Sequence, residues 1–144
     1  MAKKNLNRDT IRLLRKVQKF LIEEPKRFDM REGITPSAEA KSVLEQPPCG
    51  TACCIAGAMY VIDKGIKLNI SYVGYGEIEN HIQNITSLKT DVQCGRLFYT
   101  NNSWVSAAWP EFYANAYEAA TTPLQRACVG VARIEHFIAT DGRE

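Results

Sequence analysis

Nowhere in this 144-residue chain is there an apolar run long enough to cross a bilayer. Lys16 and Lys19 interrupt the one apolar segment behind the basic start, so no signal peptide is expected and the cytoplasm is the expected compartment. C-x-x-C pairs are missing as well. The five cysteines are an odd number without the spacing of a secreted disulfide scaffold, which predicts thiols in a reducing compartment. Histidine is scarce, and neither His81 nor His136 stands beside a serine or cysteine in a nucleophile motif, so hydrolase chemistry has no support. There is no internal repeat. What is present is ordinary for one globular domain, with 45% apolar and 24% charged residues and enough length to bury a core unaided. The net charge of +2 hides an asymmetry: residues 1–31 carry ten Lys/Arg against four Asp/Glu, a basic arm on a mildly acidic body.

The longest stretch without charge includes residues 49–62 and holds three of the five cysteines. Thr51 is a helix-start residue and Gly65 a left-handed stop, which predicts a helix over 51–64. It is apolar on every side, so it belongs at the centre, covered by the other five helices. Asn7 caps a first helix over about 8–24, ended by Pro25. Its apolar face is Leu6, Leu13, Leu14, Val17, Phe20 and Leu21, and its opposite face is Arg8, Arg12, Arg15, Lys16 and Lys19. Phe28, Asp29 and Met30 form an anchoring turn, and the polar stretch 31–48 reads as a long loop. Residues 66–73 alternate briefly and read as an extended connection or short strand. Ile78, Ile82 and Ile85 mark a third helix over 77–85. Thr90 and Gln93 form a capping box for a short fourth helix carrying Leu97 and Phe98. Trp109-Pro110 opens a fifth, striped by Phe112, Tyr113, Ala116, Tyr117 and Ala120, with proline at the first helical position. Thr122-Pro123 opens the last, which runs to about Ala139. The expected fold is all-α, a single domain of about six orthogonally packed helices around 51–64.

Chemistry could sit at the start of that central helix. Gly50 and Thr51 would lie where unsatisfied N–H groups point outward, so a phosphate or carboxylate could dock there beside Cys49. The same partial positive charge would activate Cys49 as a thiolate, with Cys53 as its resolving partner. The plainer alternative is that Thr51 caps the helix and the thiols fill space. A metal set of Cys49, Cys53 or Cys54, Cys94 and a histidine matches no zinc spacing, and Cys53 and Cys54 diverge by about 100° on a helix, so no metal and no cofactor are expected. In the last helix Leu124, Ala127, Cys128, Val131, Ile134 and Ile138 form the apolar stripe. Glu135 projects from it, while Arg126 and Arg133 point away. A carboxylate so placed needs a partner, and the start of the central helix or a basic side chain would serve. It either ties two helices together or acts as an acid/base.

Taken in order, Phe28-Asp29-Met30, Cys49-Gly-Thr-Ala-Cys-Cys-Ile-Ala-Gly57, Leu97-Phe98, Trp109-Pro110, Arg133-Ile-Glu-His-Phe-Ile138 and Asp141-Gly142 resemble a scattered set of small bacterial and phage proteins. These share a Cys-Gly-Thr-x-x-Cys-Ile-Ala-Gly core. The resemblance implies a compact helical fold and no particular activity. Relatives often carry a tryptophan after the Phe-Asp-Met turn, where this chain has Arg31-Glu-Gly-Ile34.

The first functional expectation is a non-enzymatic binding module. It would hold an anionic small molecule, a nucleotide being one candidate, at Cys49, Gly50, Thr51 and Glu135. The second is a protein–protein interaction or inhibitor domain that meets an acidic partner through Arg8, Arg12, Arg15, Lys16 and Lys19. Nucleic acid and anionic lipid stay among the candidates for that face, although no aromatics interleave with the charges to stack on single-stranded bases. The third is thiol redox chemistry at Cys49 and Cys53.

Overall fold

Six α-helices carry the fold of this computed structural model: α1 (Arg8–Glu23), α2 (Ile55–Lys64), α3 (Tyr75–Ile85), α4 (Asp91–Phe98), α5 (Glu111–Ala119) and α6 (Pro123–Ala139). Residues 4–30, 34–36, 51–65, 75–100 and 107–144 are described, the side chains of 34–36, 51–53 and 75 excepted. Two three-residue strands, β1 (Ile34–Pro36) and β2 (Thr51–Cys53), pair antiparallel with Pro36 opposite Thr51. The class is all-α, as the periodicities predict.

Most helix ends follow from local chemistry. The Asn7 side chain accepts from Thr10 N at 2.8 Å and starts α1. Thr90 with Gln93, and Thr122 with Gln125, complete reciprocal capping boxes that satisfy otherwise orphaned donors of α4 and α6. Pro123 stands at the first position of α6, where its missing N–H costs nothing. Gly65 ends α2 at φ 64°, a left-handed conformation that favours glycine. At α5 the prediction is one residue off, because Pro110 is the N-cap and Glu111 the first helical residue.

The helices pack in series: α5 on α6, α6 on α1, α1 on α2, and α2 on α3, with α4 bridging α2 and α6. Thr10, Leu14, Val17 and Leu21 are the buried face of α1, between α2 and α6. Every residue of α2 from Ile55 to Val61 is buried, so its all-round hydrophobicity does mark a core helix. Its main helical neighbours are α1, α3 and α4, rather than all five other helices.

The start of α2 is a correction. Thr51 is the better capping residue by type, yet residues 51–53 are extended because they pair with 34–36. Cys54, at φ −82° and ψ −175°, becomes the N-cap, and its Sγ accepts from Gly57 N at 3.4 Å. The same pairing places a strand inside the stretch expected to be loop. The remainder of 31–48, and the extended segment expected at 66–73, lie outside the described residues.

The buried face of α6 is also a correction. Ala127, Gly130, Arg133, Ile134 and Phe137 are buried, while Leu124 and Cys128 are exposed. Gly130 decides this orientation. A Cβ there would lie 2.8 Å from the Phe28 ring and 3.0 Å from Leu21, so the helix turns its smallest residue toward the core. Phe28 and Met30 are buried as the anchoring turn requires, and Met30 N donates to the Tyr117 hydroxyl at 2.9 Å. Edge-to-face contacts run from Phe28 to Tyr117 (5.7 Å) and on to Trp109 (5.9 Å). On α5 only Tyr117 is buried, and Phe112, expected in its core stripe, is 75% exposed.

The two ends of the described chain meet at Asp141. Its carboxylate accepts from Asn5 N at 2.7 Å and Leu6 N at 2.9 Å, and these donors hold its pKa below the usual aspartate value. A depressed carboxyl stabilises the fold above its unfolded pKa of about 4, and the contribution is lost as pH falls through the folded value. Asp141→Asn is therefore expected to be less stable than wild type at pH 7 and to lose less on acidification. Urea midpoints at pH 7 and pH 3 check this; equal acid sensitivity would refute it.

Candidate functional site

Of the four residues expected to form an anion site, the structure describes Thr51 and Glu135. Cys49 and Gly50 lie outside the described residues. Thr51 lies in β2 rather than at a helix end, and of Cys53 only the backbone is described. The actual first turn of α2 is sealed: Cys54 and Ile55 are fully buried and Ala56 is 1% exposed. Helix-dipole support for an anionic ligand at Thr51 is thereby removed, since the effect falls off within one turn. Glu135 is elsewhere and outward. Its side chain is 56% exposed and accepts from Arg15, and from Gln18 Nε2 at 3.1 Å. Those two donors hold its pKa below the usual glutamate value. It clamps α6 to α1 from the surface and is no buried carboxylate.

The basic face of α1 is presented as the sequence predicts. Arg8, Arg12, Arg15, Lys16 and Lys19 are all exposed, on a helix whose other side is fixed by Leu14, Val17 and Leu21. Arg15 is engaged by Glu135. Arg12 lies 3.4 Å from Asp9 and Lys19 lies 3.7 Å from Glu23, both open surface pairs. Such pairs are worth about 0–1 kcal/mol and yield readily to a stronger partner. Arg8 and Lys16 have no ion-pair partner among the described residues. The result is a row of cations on a rigid rod.

The described thiols do not resemble a reactive pair. Cys54 and Cys94 are buried, and burial pushes the Cys94 thiol up to about 11, so it is protonated at neutral pH. Cys128 is exposed in a groove of about 640 Å³ between α5 and α6, lined by Ala116, Ala120, Leu124 and Val129. Among the described residues no group of three or more His, Cys, Asp or Glu side chains is placed to hold a metal ion. No described helix is long and apolar enough to cross a membrane.

Sequence reasoning missed Arg133. The apolar stripe of the last helix puts it on the outer face, and it is fully buried. Only the true rotation of α6, set by Gly130, turns it inward. The one local signal was its place beside Ile134, a core residue in both readings. No protein-family model, curated protein or solved structure matches the chain.

Proposed function

We propose that this protein is a binding module that engages an acidic protein partner through the outer face of α1. The observation that carries the reading is the exposed row Arg8, Arg12, Lys16 and Lys19 on a helix locked to the core by its other side. Rigid presentation matters because a helix already fixed to the core has no backbone freedom left to lose on binding. Long-range attraction would speed encounter and make binding fall with salt. Arg15 is a weaker contributor because Glu135 competes for it.

Charge reversal at Arg12→Glu and Lys16→Glu tests the proposal without disturbing the Arg15–Glu135 clamp. Binding to a polyglutamate peptide in low salt is expected to weaken at least tenfold, with the far-ultraviolet circular dichroism and melting temperature unchanged. Undiminished binding by the folded double variant would overturn the reading.

A further inference from the structure

Helix α6 packs between α1 and α5. Its Val131 and Glu135 meet α1, and its Gln125 and Val129 line the groove toward α5. Leu124, Cys128 and Ala132 fall between those two directions on the helix, and all three are exposed. α1 runs antiparallel to α6: Arg15 meets Glu135, and Gln18 Nε2 donates to Val131 O at 3.1 Å. One further turn of each brings Ile22 to the level of Cys128. Ile22 is 46% exposed and Leu124 53% exposed, so an apolar strip runs from α1 across α6. The groove of about 640 Å³ between α5 and α6 continues it, with walls that include Ala116, Ala119 and Leu124.

What borders the strip selects its occupant. Lys19 lies one turn from Ile22, and Lys16 one turn further back, both exposed. Lys16 has no ion-pair partner among the described residues, and the pair of Lys19 with Glu23 is an open surface contact worth little. Glu135, the acid nearest the strip on α6, is already balanced by Arg15. The two acids of α5, Glu111 and Glu118, are exposed on the side opposite Ala116 and Ala120, away from the groove. An uncharged strip with a cationic edge fits an anionic amphipathic occupant. A concave groove with small-residue walls receives side chains, as grooves that bind helices do, whereas a bilayer takes protruding ones.

We propose that the acidic partner of the α1 face binds with an amphipathic helix. Its apolar side chains fill the α5/α6 groove and cover Ile22 and Leu124, while its carboxylates meet Lys16 and Lys19. The inference rests on the α1 reading and adds the apolar half of the same interface.

Two peptides of equal charge provide the test: a helical Leu/Glu amphipathic peptide, and a control with every Leu replaced by Ala. The wild type is expected to bind the Leu/Glu peptide about tenfold more tightly. In Ile22→Gln combined with Leu124→Gln, that difference is expected to vanish, with melting temperature and polyglutamate binding unchanged. Bound Leu/Glu peptide is also expected to slow alkylation of Cys128 severalfold, read by peptide mapping. Equal affinity of the wild type for both peptides would overturn this proposal. The α1 reading would still stand if Arg12→Glu with Lys16→Glu weakened both. A Leu/Glu advantage that survives in the double Gln variant would place the apolar contact elsewhere and overturn the proposal. A Leu/Lys peptide that binds as tightly would do the same, because charge would then not be read. So would sedimentation with phosphatidylserine vesicles that the double Gln variant loses, which would assign the strip to a membrane. Should that variant fail to fold, Cys128 in the wild type decides, and an unprotected thiol overturns the proposal.

Discussion

Gly95→Ala is expected to destabilise the fold by about 3 kcal/mol, roughly 10 °C in melting temperature. The added Cβ would lie 2.3 Å from the carbonyl oxygen of Ala107 and 3.0 Å from its carbon. That neighbour is backbone and cannot rotate away. It is also pinned, because Trp109 N donates to Tyr99 O and Trp109 Nε1 donates to Leu97 O, both at 2.7 Å. The gain in helix propensity from Gly to Ala, about 1 kcal/mol, opposes the clash but is the smaller term. Gly76 provides the contrast. It lies in α3 with nothing within 4 Å of an added Cβ, so Gly76→Ala is expected to be neutral or stabilising. Chemical denaturation of both variants checks the pair; a Gly95→Ala protein as stable as wild type would show that segment 107–109 can retreat.

Phe137→Ala should cost about 3–5 kcal/mol, the largest loss expected of any single truncation in α6. Phe137 is fully buried, and its Cζ lies 3.3 Å from where a Cβ on Gly142 would be. Gly142 N returns to Phe137 O at 2.8 Å, so the ring and the turn that follows α6 are one packed unit. The ring also covers Arg133. Removing it leaves a cavity and opens the buried guanidinium to water, two effects of opposite sign, of which the cavity is the larger. Phe137→Leu keeps most of the volume and should lose less than about 1.5 kcal/mol. A Phe137→Ala loss below 1 kcal/mol would mean that the site collapses around the gap.

The cationic residues divide by what surrounds them. On α1, charge faces water and is available to a partner at little cost. At Arg133, charge is held inside, against the carbonyl of Arg96 and a main-chain oxygen of Glu144. Neither group includes the Cys49-Gly50-Thr51 motif, whose residue types suit a helix start. Within that motif, Thr51 to Cys53 form a strand, Cys54 caps α2, and Ile55 to Gly57 are buried in its first turn. From Thr51 onward, the described part of the motif is ribbon and core.

By itself the sequence determined what depends on neighbours a few residues apart. The caps at Asn7, Thr90 and Thr122, the stop at Gly65 and the two faces of α1 all arise from side chains and backbone within one or two helical turns. Tertiary structure decided three things that no local pattern carries. Pairing with residues 34–36 moved the start of α2 from Thr51 to Ile55, because long-range backbone pairing outweighed the better cap. Close approach of Phe28 and Leu21 to Gly130 rotated α6, since a glycine adds nothing to an apolar stripe yet allows the tightest contact. That rotation carried Glu135 out to Arg15 and turned Arg133 in toward main-chain oxygens 37 residues earlier and 11 residues later. The charges themselves were legible from the start; which of them face water and which are buried was settled by packing alone.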